Sequence, residues 1–221
     1  MTRAMLNRRS LMAAAALTVA TTATASGRQK IIVTGDMGTV GTRLRPLLSN
    51  FDIVGIDKKR GDNQDLAARD VAIATDFFAF DAMVHLAWDT FTHADMGGIL
   101  YNTWITREAL AAAKLARVRH FIFASSAWAA PDLYGRKGGI EPTHHYTENK
   151  LFLEGMLRRF CPDYGMKISA IRFGHVKAGA EPSDDNFDAR IVMSDRDLIG
   201  LVRIALHSED SFRLIGPFDA R

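Results

Sequence analysis

Cys161 is the only thiol in the 221-residue chain, so an intramolecular disulfide and a thiolate metal cluster are both excluded. The seven histidines are scattered and only His144 and His145 adjoin. Neither H-E-x-x-H nor another ligand spacing occurs, so no metal is expected. Acidic residues are missing from positions 1–25, which hold Arg3, Arg8 and Arg9. Those arginines account for the whole formal net charge of +3 and leave the rest of the chain near neutral. No basic stripe interleaves with aromatics, which argues against nucleic acid as a partner. The apolar run from Leu11 to Ala20 is roughly half the length needed to span a bilayer, so no stable membrane anchor is expected.

That run follows a basic segment and leads into small residues ending in Ala23-Thr24-Ala25, the layout of a secretory signal with an A-x-A cleavage site. Arg8-Arg9 followed by Ser10-Leu11-Met12 resembles a twin-arginine signal, the kind that exports folded proteins. Asn7 stands where such signals usually carry Ser or Thr. Residues 1–25 are therefore expected to send the protein to the periplasm. If the leader is not used, the cytoplasm is the alternative.

A hydrophobic content of 48% and a charged content of 24% suit one soluble domain over residues 26–221. Past Ser26, short apolar runs alternate with amphipathic stretches. "KIIVTG" (30–35), "FDIVGID" (51–57), "DAMVHLAW" (81–88), "RHFIFASS" (119–126) and "MKISAIRFG" (166–174) read as buried strands. Helices are expected over 41–50, 99–116 and 146–160, and over 194–210 behind a Ser194 cap. Strands separated by helices pair in parallel, which gives an α/β fold with a doubly wound sheet.

The first strand runs into "TGDMGTVG", where Gly35, Gly38 and Gly41 are spaced G-x-x-G-x-x-G. In a strand–loop–helix setting the first glycine makes a tight turn and the second admits backbone close to a pyrophosphate. The third lets helix pack on strand, while the helix N-terminus offers N–H groups and a positive dipole end. Asp57 closes the second strand 22 positions after Gly35, near the spacing of a carboxylate that binds the adenosine ribose hydroxyls. A carboxylate there favours NAD over NADP. Lys58, Lys59 and Arg60 follow at once and offer cations to a 2′-phosphate, so NADP stays open.

Together the glycine triplet, "VHLA" at 84–87, "FIFASSA" at 121–127 and "YTENK" at 146–150 resemble the extended short-chain dehydrogenase/reductases, or NAD-dependent epimerase/dehydratase family. The resemblance covers nearly all of residues 30–216 and rests on order and spacing, with Tyr146 falling 20 residues after Ser126. It implies a Rossmann-type fold with a very small C-terminal substrate lobe from about residue 175 to 221. It implies that Met37 and Ala87 join the three glycines and Asp57 around the dinucleotide. Asp65 and Leu66 would contact the adenine, with Asp70-Val71 as a rival pair. Between Asp57 and Asp81 little chain is left for the third strand and its helix.

The resemblance also assigns a catalytic set of Ser126, Tyr146 and Lys150. At i and i+4 the last two share a helix face. A free tyrosine, with a pKa near 10, is a poor base at neutral pH, and an ammonium nearby favours its phenolate. Tyr146 would then move a proton at a substrate hydroxyl or carbonyl, Ser126 would hydrogen-bond the same oxygen, and Lys150 would also hold the nicotinamide ribose. Ser125 is the neighbouring rival to Ser126. Asn102 in "LYNTWIT" matches an asparagine that the family often carries, or is an ordinary polar residue of its helix.

The short stretch after the sixth strand leaves little room for a nucleotide moiety and points to a small, free substrate. The subgroup it resembles is uronate dehydrogenase. On that comparison Arg190 would pair with a substrate carboxylate and His175 would line the pocket. Arg190 could equally pair with Asp185 or Asp188, and Ala127 stands where the subgroup has asparagine. Trp88 and Trp128 either shape the pocket or simply pack. The expected activity is NAD-dependent hydride transfer at a hydroxyl or carbonyl carbon of a sugar or sugar acid. An epimerase or lyase with internally recycled NAD and a non-catalytic dinucleotide-binding protein are the alternatives. A homodimer stands as the candidate assembly.

Overall fold

Parallel strands buried on both faces need apolar residues at successive positions, and the central strands supply them. In a computed structural model of the chain, residues 27–61, 66, 80–89, 96–129, 144–176 and 187–220 are described. Six strands form one sheet: β1 (Lys30–Thr34), β2 (Asp52–Ile56), β3 (Ala82–His85), β4 (His120–Ser126), β5 (Lys167–Phe173) and β6 (Phe212–Ile215). All pair in parallel, in the order β2-β1-β3-β4-β5-β6. The helices are α1 (Thr39–Leu47), α2 (Met96–Leu115), α3 (His144–Tyr164), the short α4 (Phe187–Arg190) and α5 (Asp195–Leu206). This is the expected Rossmann-type α/β architecture.

Alternation along each strand divides the core into two layers. Ile32, Met83, Phe121 and Phe123 pack with Leu110, Ala113, Leu153 and Leu157 of α2 and α3. Ile31, Val33, Val84 and Ile122 pack with Leu44 of α1 and with Leu198, Leu201 and Val202 of α5. On the second face the Arg43–Asp195 ion pair also ties α1 to α5. The expected cap of α5 is present: Ser194 Oγ accepts from the Asp197 N–H at 3.2 Å, and Asp197 Oδ2 accepts from the Ser194 N–H at 3.1 Å.

Several element boundaries differ from expectation. α1 begins at Thr39 rather than 41, and α5 stops at Leu206 rather than running to 210. The chain after α5 forms β6, for which no strand was expected. Its pattern is weak because only Ile215 is buried in this edge strand, while Phe212 lies partly buried beside Arg158. Much of the proposed substrate lobe thus serves the sheet, α5 covering one face and β6 extending an edge. The leader and the third strand and helix expected between Asp57 and Asp81 lie outside the described residues.

Chain order reverses between β1 and β3, the switch point where doubly wound sheets open a crevice at their C-terminal ends. Beneath it lies a buried imidazole. His85 Nδ1 is 2.7 Å from Thr34 Oγ1, and His85 Nε2 is 3.2 Å from Thr106 Oγ1. The Thr106 hydroxyl donates to the Asn102 carbonyl at 2.9 Å, so it accepts from His85, and Nε2 carries the ring's single proton. Burial pushes His85 down to about 3, with the Lys150 ammonium acting in the same direction. His120 is pushed down to about 4, by burial first and Lys167 second.

Both imidazoles are neutral when folded and take up a proton on unfolding below pH 6.5. Folding stability therefore falls as pH drops from 6.5 toward 4, by about 1.4 kcal/mol per pH unit for each histidine. Urea unfolding between pH 5 and 6.5 checks this. His85→Gln is expected to lower the slope by about one proton; an unchanged slope would mean that His85 is not held neutral.

Candidate active site

A cavity of about 690 Å³ opens at the C-terminal ends of β1, β3, β4 and β5, with the glycine loop at one end and the first turns of α3 at the other. Gly35 has φ +71°, and a Cβ there would lie 2.6 Å from the Ala87 nitrogen. A Cβ on Gly41 would lie 2.4 Å from the Gly35 carbonyl oxygen. Backbone meets backbone at both positions, so only glycine fits. Gly38 is the N-cap of α1 and makes no side-chain cap, which leaves the helix's positive end to a ligand. Asp57 Oδ2 accepts from the Met37 N–H at 3.0 Å and Oδ1 from the Lys59 N–H at 2.9 Å. Met37 is exposed, while Ala87 and Leu66 line the cavity. Asp65 and the rival pair Asp70-Val71 lie outside the described residues.

At the other end, strand alternation sends the two adjacent serines to different partners. Ser125 Oγ donates to Glu154 Oε1 at 2.5 Å. Ser126 accepts the Trp128 N–H at 3.2 Å and lines the cavity with Tyr146. Lys150 lies one turn below Tyr146 and is buried; its Nζ donates to the Ala124 carbonyl at 2.6 Å and sits 3.4 Å from the Trp88 ring centroid. Trp88 meets Tyr146 edge-on at 5.7 Å.

Burial holds Lys150 well below its ordinary value, opposed by Glu154. Burial also raises Tyr146, opposed by the neighbouring Ser126 hydroxyl. The expectation that Lys150 lowers the phenol is not met in this geometry. The ammonium is drawn to Ala124 and Trp88, 5.7 Å from the tyrosine ring, and desolvation dominates.

Asn102 is buried in α2 and engaged at both ends of its carboxamide: it accepts from the Asp89 N–H at 2.8 Å and donates to the Asp89 carbonyl at 3.1 Å. It thereby fixes the loop that carries Ala87 and Trp88. His175 is exposed and lines the cavity, bridged to the segment around Val192. Arg190 ends α4 and is partly buried, but it is not among the described lining residues. Asp185 and the side chain of Asp188 lie outside the described residues.

Glu154 and Arg172 went unnoticed in the sequence. Arg172 Nε and Nη2 donate to Glu154 Oε1 and Oε2 at 2.9 and 2.7 Å, with both side chains buried. The signals were there: a glutamate one turn beyond Lys150 on the same helix face, and an arginine inside the apolar strand "ISAIRF".

The family model described as "NAD dependent epimerase/dehydratase family" matches residues 31–196. The chain belongs to this family. As a member it is an NAD-dependent enzyme of the oxidoreductase or epimerase kind, and the non-catalytic alternative falls away. Comparison with curated proteins finds no match.

Solved structures share the fold. A mutated uronate dehydrogenase is 19% identical, with 85% of this chain and 73% of that one covered and a TM-score of 0.62. For the UDP-N-acetylglucosamine 4-epimerase from Bacillus cereus the values are 20%, 85%, 77% and 0.64. For the UDP-glucose 4-epimerase from Brucella ovis in complex with NAD they are 17%, 85%, 77% and 0.64.

NAD is the cofactor, and the chain's own residues fit it. The glycine contacts form a cradle that a Cβ would fill, and the Asp57 carboxylate lines the same cavity beside it.

The Glu154–Arg172 pair is expected to matter chiefly when broken. Glu154→Gln leaves a buried guanidinium uncompensated, at a cost of about 3 to 5 kcal/mol. Removing both charges, with Glu154→Leu and Arg172→Met, recovers most of that loss. Denaturant unfolding of the three proteins checks it; equal losses in the single and double variants would show that packing, not charge, is responsible.

Proposed function

We propose that the enzyme oxidises or reduces a hydroxyl or carbonyl carbon of a small sugar or sugar acid at a site made by Ser126, Tyr146 and Lys150. The observation that carries the proposal is the convergence of Ser126, Tyr146 and Lys150 on one cavity wall, with Lys150 buried one turn below the phenol. Bound NAD supplies the hydride acceptor or donor. Tyr146 moves the proton on the substrate oxygen, and Ser126 orients that oxygen by a second hydrogen bond. Lys150 supplies positive charge in a desolvated place, where its influence on a developing phenolate exceeds that in water. Support for a sugar acid comes from the fold neighbours named uronate dehydrogenase and glucuronic acid dehydrogenase. On this reading Asn102 is a positioning residue acting through the Asp89 loop. His175 is a pocket residue, and Arg190 would contribute only by turning toward the substrate.

Tyr146→Phe should keep NAD affinity and lower turnover by roughly 10²-fold or more; wild-type turnover in that variant would overturn the assignment. Lys150→Met should lose both activity and cofactor affinity. Tyr146 is raised above its ordinary value of 10, so the phenolate needed for oxidation forms only in alkali. Oxidation should still be accelerating past pH 9, while reduction, which uses the neutral phenol, should not. Net NADH formation across a panel of sugars separates a dehydrogenase from an epimerase.

The leader favours a second reading, in which residues 1–25 export the folded protein with NAD already bound and the cofactor is recycled in place. Tightly held NAD then suits epimerase-like chemistry or paired oxidation and reduction. A homodimer is proposed as the assembly, supported by Leu100 and Phe152, large apolar side chains exposed on the two mutually packed helices α2 and α3. Cell fractionation, followed by light scattering and assay of bound NAD after extensive dialysis, tests all three. An uncleaved cytoplasmic chain would sink export, a cofactor-free periplasmic enzyme would sink retention, and a monomer mass would sink the dimer.

A further inference from the structure

One buried carboxylate beside the glycine loop has no part in the proposed chemistry. Asp36 follows Gly35, and its side chain is wholly shielded from solvent. Arg60 grips it with two hydrogen bonds, Nε to Oδ1 at 3.2 Å and Nη2 to Oδ2 at 2.5 Å. Arg45 adds a third, Nη1 to Oδ2 at 2.9 Å. The sequence makes room for this cluster in the middle of β2, because a Cβ on Gly55 would lie 2.0 Å from Asp36 Oδ2.

The cluster bears on the choice left open by the three cations after Asp57. Lys58 Nζ stands 3.7 Å from Asp89 Oδ2, and Lys59 Nζ donates to the Met37 carbonyl at 3.1 Å. Both lysines line the cavity, and both contacts are made by exposed side chains. Arg60 differs on each count. It is not among the described lining residues, and a fully buried carboxylate holds it in a two-point grip. It is also the residue best shaped for the task, since a guanidinium matches a phosphate bidentately where an ammonium is only a point charge. In this fold an arginine near the ribose-binding carboxylate is what accommodates a 2′-phosphate.

We propose that Asp36 is a specificity-determining positioning residue for the cofactor: it holds Arg60 away from the cavity and so denies a 2′-phosphorylated dinucleotide its guanidinium. Discrimination against NADP then has two parts. Asp57 repels the phosphate directly, and Asp36 withholds the cation that would compensate. The inference rests on the NAD cradle and is independent of the chemistry assigned to Tyr146.

The test is equilibrium binding of NADH and NADPH to the full chain, followed by nucleotide fluorescence. Asp36→Asn keeps the shape and removes the charge. It is expected to raise the affinity for NADPH relative to NADH by about tenfold, the scale of one charge-assisted contact. Adding Arg60→Ala to that variant should abolish the gain, which a general loosening of the loop would not do. Arg60→Ala alone should leave the ratio as it is in the unaltered protein. An unchanged ratio in folded Asp36→Asn protein, or a gain that survives loss of Arg60, would overturn the proposal. So would a drop in NADPH affinity on Arg60→Ala alone, since Arg60 would then already read the phosphate. That last arm holds even if Asp36→Asn fails to fold.

Discussion

The whole site hangs on the close approach of two chain segments at the switch point, where the turn after β1 lies against the loop after β3. Gly35 has no side chain because the Ala87 backbone occupies the space a Cβ would need. The contact is riveted from below: the Leu86 N–H donates to the Thr34 carbonyl at 2.9 Å, and Thr34 also meets His85. Fixing this point fixes both halves of the cavity. The glycine loop and α1 are aimed from one side, and Trp88, on which Lys150 rests, is carried by the other. A register slip between β1 and β3 would separate the cofactor cradle from the phenol, which explains why so much buried hydrogen bonding is gathered there.

The electrostatics of the site follow from how that scaffold is filled. Lys150 is buried among groups that can hold a cation without neutralising it: one carbonyl at 2.6 Å and the faces of Trp88 and Phe123 at 3.4 and 5.0 Å. Its carboxylate neighbour one turn on, Glu154, is matched by Arg172. Arg172 engages both carboxylate oxygens of that glutamate. A buried ion pair is a poor source of net stability. Lys150 is left desolvated, its ammonium disfavoured by burial and partly supported by the Glu154 charge.

Much of this was legible in the sequence. Five of the six strands and the three long helices announced themselves by their apolar patterns, and the glycine spacing came with them. Ser126, Tyr146 and Lys150 came from the family resemblance, and the fold brings them to one cavity. What stayed hidden has a common cause: it depends on partners distant in sequence. Ser125 and Ser126 are chemically identical until Glu154 claims one and Tyr146 meets the other. Arg60 looked like a phosphate ligand because nothing local reveals that Asp36, 24 residues earlier, holds it. β6 was missed because an edge strand with a single buried side chain has no period to read.

Set beside one another, the described carboxylates nearest the cavity share a feature that narrows the chemistry. Asp36 is held by Arg45 and Arg60, Asp57 by the Met37 and Lys59 N–H groups, and Glu154 by Arg172 and Ser125. Asp89 faces Lys58 at 3.7 Å. Each of these carboxylates is engaged by protein donors or faces a cation, which makes it an anchor of the cavity wall. On the proposed reading Tyr146 handles the proton, and the Ser126 hydroxyl beside it, able to donate or accept, can follow the phenol through either protonation state. On that reading the carboxylates shape the cavity, and the proton is left to a phenol.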